Sequence, residues 1–236
     1  MFSQVDQIAG VQPFNDWFAP DTTQRNQLGV VVKGVDPFWG GGEFMYIKSN
    51  DAILKGSLVS WDGGFLGTLV ANTANQGFPF GVAMAPMASG TFGWIQVSGR
   101  SVYKTNATVA AGAAIGIGAA GIAGTNSAGK QLLSVRNVVP ATGTVTVTGT
   151  TRINSSAIKT GGYDGFCLGL AVTGTGIPAS SVVAALDRDG VTIYIGSAIG
   201  VIDKLATANG TVAITGTFTG FGVGMIHHPC LQGAIT

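Results

Sequence analysis

Few side chains in this sequence are equipped for chemistry. Its two histidines, His227 and His228, stand with Cys230 in the run HHPC, and its one glutamate, Glu43, follows Gly40, Gly41 and Gly42. Imidazole and thiolate are zinc ligands, but a zinc site takes about four ligands at suitable spacing. Neighbours on an extended strand point to opposite faces, so His227 and His228 are not expected to share one metal. The reading is a pair of structural histidines before a strand-ending proline, with a site on the three-fold axis of a trimer as the alternative. Gly116 to Gly121 (GIGAAG) matches the dinucleotide fingerprint by letter. That fingerprint works only where a strand feeds a helix and an acid follows about 20 residues on. No helical pattern follows here, and the next acid is Asp164.

Ten of the eleven acids are aspartates, many of them in turn pairs such as Asp36-Pro37, Asp62-Gly63, Asp164-Gly165 and Asp189-Gly190. These are turn residues rather than paired catalytic carboxylates. Asp187-Arg188-Asp189-Gly190 lacks the remaining ligands of a calcium loop, and no G-x-S-x-G elbow occurs. The expectation is a protein that is not an enzyme and carries neither cofactor nor metal.

What must position these residues is set by composition. Of 236 residues 38 are glycine, only 10% are charged and 46% are hydrophobic. Long helix-forming side chains are scarce, which excludes an all-helical fold, and the apolar content excludes disorder. A net charge of +1 without a basic run removes the usual attraction to nucleic acid or to an anionic membrane. The uncharged run Ala107 to Ala123 falls short of the roughly 20 residues that span a bilayer. Two cysteines, Cys167 and Cys230, and a start unlike a signal peptide suggest synthesis in a reducing cytoplasm with free thiols. Gly63 to Gly99 and Leu205 to Thr236 contain no Asp, Glu, Lys or Arg. Soluble surfaces are normally charged, so such stretches point to cover by other copies or by a partner.

Residues 1–40 carry scattered aromatics among polar residues and prolines, with no sustained period. They are read as an extended arm whose Phe14, Trp17, Phe18, Phe38 and Trp39 are candidate interface anchors. From Glu43 onward, strand-length apolar runs alternate with turn signals, as in a sandwich or small barrel. GTVTVTGT (Gly143 to Thr150) and GTVAITGT (Gly210 to Thr217) share six of eight positions. Paired side by side, they would bring the ends of the intervening segment together and make it an insertion. The expectation is all-β: a small barrel or sandwich (41–140 plus 219–236), an inserted β-sandwich (141–218) and the arm. The closing run Phe221 to Thr236 is expected to pair with QLLSVRNVV (Gln131 to Val139).

VKGVDPFWGGGEFMYIKS (Val32 to Ser49) followed by PFGVAMAPMASGTFGWIQVSGRSV (Pro79 to Val102) resembles the capsid decoration, or cement, proteins of tailed bacteriophages. The likeness spans about Gln27 to Val139 plus Phe221 to Gly233. AVTGTGIPASSVVAALDRDGVTIYI in the insertion is similar to small β-modules of phage virion proteins. The resemblance implies a virion protein on the outer capsid surface, a homotrimer that clamps neighbouring copies of the major capsid protein. Two rivals remain, a glycan-binding host-adhesion module and a structural protein of the tail or baseplate.

Overall fold

A computed structural model describes residues 3–4, 19–36, 40–107, 109, 112–137, 144–160, 170–187, 189, 191–198, 200–217 and 220–234. The chain divides into two compact units, Met1–Thr142 with Gly220–Thr236, and Gly143–Thr219. Both are all-β, and no helix occurs among the described residues. The first unit contains β1 (Ser3–Gln4), β2 (Val31–Asp36), β3 (Gly40–Ser49), β4 (Leu58–Trp61), β5 (Leu66–Leu69), β6 (Phe80–Ala83) and β7 (Phe92–Lys104). It continues with β8 (Ile115–Ala119), β9 (Ile122–Thr125) and β10 (Leu132–Asn137). The second holds β11 (Thr144–Thr151), β12 (Ala157–Thr160), β13 (Ala171–Gly174), β14 (Ser181–Leu186), β15 (Thr192–Gly196) and β16 (Gly210–Thr217). The chain then returns to the first unit as β17 (Phe221–Leu231).

In the first unit nine strands run in the order β1-β2-β3-β5-β4-β6-β7-β17-β10, and a further pairing joins β3 to β7. That pairing closes β3, β5, β4, β6 and β7 into a ring, with β3 and β5 parallel. All five strands contribute to the core that includes Met45, Val59, Leu69, Ala83, Ile95 and Val97. The run Phe44-Met45-Tyr46-Ile47 is buried throughout because both faces are covered. Met45 and Ile47 belong to the ring core, whereas Phe44 and Tyr46 pack with Val32, Met84 and Trp94. A third core joins Leu58, Phe80, Val82 and Tyr103 to the β8–β9 hairpin and to Ile226 and Leu231 of β17. As the sequence leads one to expect, β17 pairs antiparallel with β10.

Three expectations change. Residues 19–36, expected in an extended arm, fold onto the unit's own core. β2 pairs along β3 from Val31↔Met45 to Asp36↔Gly40. Leu28 and Val30 pack on the cluster around Tyr46. Tyr46 donates a hydrogen bond to Asp21 Oδ2 (2.7 Å), Arg25 Nε lies 3.0 Å from Asp21 Oδ1, and Asp21 bridges to Phe92. Apolar alternation in Val31 to Val35 is interrupted by Lys33 and Gly34, which hid the strand. Second, FGWIQVSG (Phe92 to Gly99) and SVYK (Ser101 to Lys104), each of strand length on its own, form one 13-residue strand. Gly99 joins them at φ +103°, where a Cβ would stand 2.5 Å from Gly41 O.

Third, the insertion is a closed barrel, β11-β12-β15-β14-β13-β16, rather than a two-sheet sandwich. The two similar strands do pair, in unbroken register from Thr144↔Thr217 to Thr151↔Gly210. β16 also pairs β13 on its other edge, so the sheet returns on itself and leaves no open edge. Its interior takes Ile158, Val172, Val183, Ile193, Ile195 and Ile214, all fully buried or nearly so. Gly149 leaves the space that the Ile214 side chain occupies.

Candidate functional site

The sequence's sole glutamate and both histidines come together where β17 departs from regular pairing. Leu133 pairs with Cys230 and Val135 with Ile226, so one residue of β10 faces three of β17, His227, His228 and Pro229. A proline cannot donate to the ladder, and such irregularities gather where pairing is broken. His228 adopts φ +43° and Ser134 opposite adopts φ +58°. The bulge cancels the strand alternation on which the sequence reading relied. The two imidazoles stand edge to face, with centroids 5.1 Å apart. His228 Nε2 lies 2.8 Å from Glu43 Oε2, and His227 Nδ1 lies 3.4 Å from Ser98 Oγ. His228 with Pro229, Val31, Met45, Trp61 and Val97 also lines a small apolar cavity of about 110 Å³. The His228–Glu43 contact thus sits beside the ring core. Pro229 directly after the two histidines was the sequence signal for this bulge.

Chemically this is a half-buried acid beside an exposed base, and among the described residues the nucleophile nearest the histidines is the Ser98 hydroxyl, at a long 3.4 Å. Among the described residues no group of three His, Cys, Asp or Glu side chains is arranged to hold a metal. Cys230, two residues after His228 in HHPC, is a free thiol.

The other sequence motifs resolve into structural roles. Gly116 and Gly118 of the fingerprint-like run lie in β8, and Gly121 turns the hairpin at φ +65° into β9, not into a helix. A Cβ at Gly118 would run into Asn106 Oδ1, so this glycine serves close packing. Asp189 Oδ1 accepts from the N–H groups of Val191 (2.9 Å) and Thr192 (2.8 Å), and its Oδ2 accepts from Thr192 Oγ1 (2.6 Å). Tyr194 donates to Asp187 Oδ2 (3.0 Å), a bond that holds the Tyr194 hydroxyl above its ordinary pKa. Asp203 accepts from Ser197 Oγ and N, each at 2.6 Å, which lowers its pKa. These aspartates organise turns.

Two buried tyrosines carry larger shifts. Burial raises the Tyr46 hydroxyl well above its ordinary pKa, and its bond to Asp21 adds to the effect. Burial raises Tyr103 likewise. Tyr103 donates to Asn137 Oδ1 (2.5 Å), while Asn137 Nδ2 donates to Val109 O (2.7 Å).

The interface candidates Phe14, Trp17, Phe18, Phe38 and Trp39 lie outside the described residues. Of the neutral stretch Gly63 to Gly99 that the sequence singles out, Phe80 to Ala85 and Gly93 to Val97 are buried in the unit's own core, and the longest exposed part is a nine-residue ribbon. Ala71 to Pro79 is almost wholly exposed, with Phe78 57% exposed and only Gln76 half-buried. It lies along the end of β17 and the residues that follow it, through the bridges Pro79↔Cys230 and Gln76↔Gly233. Comparison with protein-family models, with curated proteins and with solved structures finds no match to this chain.

Proposed function

We propose that this chain is a structural protein of a bacteriophage particle, decorating the outside of the capsid and clamping neighbouring major capsid subunits. The observation that carries the reading is the exposed, uncharged ribbon Ala71 to Pro79 with Phe78 at its end. A lone soluble chain gains nothing by presenting an uncharged ribbon with an exposed aromatic at its end, whereas a subunit covered by its neighbours does. Val31, Val35, Leu66 and Met225 are further large apolar side chains exposed on the same unit. The sequence resemblance to decoration proteins supplies the kind of neighbour. On this reading the working unit is a homotrimer bound to the major capsid protein, made in the host cytoplasm and acting by contact area rather than catalysis, without nucleic acid or membrane.

Electron microscopy of particles with and without the protein tests it. The expected result is extra density on the outer shell, lost when the gene is deleted and regained on adding purified protein. Density on the tail or baseplate instead assigns the chain there and overturns the proposal.

A further inference from the structure

Beside the histidine bulge the face of the sheet is hollowed into an open groove of about 580 Å³. Its lining among the described residues includes Gly41, Ser98, Ser134, Arg136, Met225 and His227. Cross-strand register orders them in rows. Glu43, Ser98 and His227 stand opposite one another across β3, β7 and β17, and Arg100, Met225 and Arg136 form the next row across β7, β17 and β10. The groove owes its depth to missing side chains. At Gly41 a Cβ would meet nothing within 4 Å, and the backbone there is not left-handed. Neither strain nor crowding demands glycine at this position, so the absent side chain leaves room above the sheet.

The chemistry of the lining has one sign. Arg136 is an exposed guanidinium, and among the described residues no carboxylate lines the groove. Glu43, the one carboxylate of its row, is turned to His228. Met225, 45% exposed, offers an adaptable apolar contact, and Ser98 and Ser134 bring hydroxyls. A volume of about 580 Å³ is within the usual range for ligand sites, about 300–1,000 Å³, but the groove is open along the sheet rather than enclosed.

We infer that this groove docks an extended acidic segment of a partner protein. A carboxylate of the segment pairs with the Arg136 guanidinium in the two-point geometry that arginine favours, and an apolar neighbour lies on Met225. That the partner is the capsid subunit rests on the function proposed above; the acidic character of the segment rests on the groove alone.

The test uses the full chain, isotope-labelled, titrated with capped hexaglutamate, with capped hexalysine and with inorganic phosphate. Hexaglutamate is expected to shift the amide signals of Gly41, Ser98, Ser134, Arg136 and His227, with the shifts weakening as salt rises. Arg136→Gln is expected to weaken that binding roughly tenfold or more, and Gly41→Leu to abolish it by filling the groove, both with unchanged thermal unfolding. Absence of shifts at these residues, equal shifts with hexalysine, or full saturation by phosphate alone overturns the inference. In parallel, wild-type protein is added to particles lacking it. Wild type that loads onto particles but ignores hexaglutamate sinks the groove and leaves the capsid reading standing. Hexaglutamate binding by a protein that fails to load sinks the capsid reading and leaves the groove standing.

Discussion

The two units solve the same problem, closing a β-structure around a core, by different means. In the inserted barrel every strand finds partners on both edges, and the described core is aliphatic, led by Ile158, Ile193, Ile195 and Ile214. Polar side chains there work in turns, as Asp189 and Asp203 do, and along strand pairs already joined by the backbone, as Thr146 and Thr215 do. In the larger unit the buried set includes Tyr46, Tyr103, Phe44, Phe80 and Trp94. Hydroxyl and amide groups tie together segments far apart in sequence, Asp21 to Tyr46 and Tyr103 to Asn137 to Val109. In the barrel the side-chain bonds mostly follow strand pairings that the closed ladder already makes. The larger unit depends on particular side-chain contacts, and it is the one that carries the double bulge, the histidines and the groove. All four tryptophans belong to it, so tryptophan emission reports on that unit and not on the barrel.

The largest expected difference follows from Tyr103→Ala. Removing a fully buried aromatic costs about 3–5 kcal/mol, and here it also removes the hydroxyl that donates to Asn137 Oδ1. The tryptophan-monitored denaturation midpoint should fall sharply while amide protection in β11 to β16 stays at its wild-type level. A matching loss of protection in the barrel would show that the two units unfold as one and would dissolve the contrast.

Next is Gly149→Ala, which strikes the barrel. The new methyl collides with the Ile214 side chain, and overpacking of this kind costs about 1–3 kcal/mol. Because the obstacle is the far end of a flexible side chain, Ile214→Val in the same molecule should recover part of the loss. Amide protection in the barrel strands is the readout, with tryptophan emission unmoved. Failure of the double variant to recover would mean that Gly149 is required for its backbone rather than for space.

Alkaline pH should separate the units more gently. Tyr46 and Tyr103 have folded-state pKa values raised above the unfolded value of about 10. Their neutral forms therefore stabilise fully below about pH 10, and that contribution is lost as pH rises toward the folded values. Urea midpoints followed by tryptophan emission should decline above about pH 10. Tyr46→Phe should remove part of that decline, at a cost near neutrality of about 0.5–1.5 kcal/mol for the lost hydrogen bond to Asp21. A decline unchanged in Tyr46→Phe would assign it to other groups.

Much of this contrast could be read from the residues, and the exceptions share a cause. The Thr/Val repeat of β11 and β16 announced its own pairing because alternation is local and the two strands are nearly the same sequence. The closure of that barrel was not legible, since it depends on β13 and β15 meeting partners from outside their own hairpins. β2 was missed for a related reason: its apolar period is short and interrupted, and it becomes a strand only because β3 offers an edge. At the candidate site, alternation gave the wrong answer for His227 and His228, because a bulge suspends the period-two rule that the inference used. The register that sets Glu43 beside His228 spans three strands distant in sequence, and nothing in either local stretch encodes it. The neutrality of Ala71 to Pro79 was plain in the letters, whereas its exposure was not.

The smallest effect is expected on the acid side and in the barrel. Asp203 accepts two short hydrogen bonds from Ser197, which hold its pKa below the ordinary carboxylate value. A carboxylate with a depressed folded pKa contributes stability that is present above its unfolded value and is lost as pH falls through the folded one. Asp203 is exposed, so solvent screens the contribution and the global stability of the barrel should barely respond. The local turn should respond: exchange of the Ser197 amide, corrected for the intrinsic pH dependence, should accelerate as pH drops through the acidic range. Asp203→Asn keeps an oxygen acceptor without the charge and should show a faster, pH-independent opening there. An acid response of the same size in Asp203→Asn would locate the titrating group elsewhere. With the larger alkaline decline in the unit that buries Tyr46 and Tyr103 and the acid response at one turn of the barrel, the pH axis would separate a unit tied by buried hydroxyls from one whose titrating groups lie at its surface.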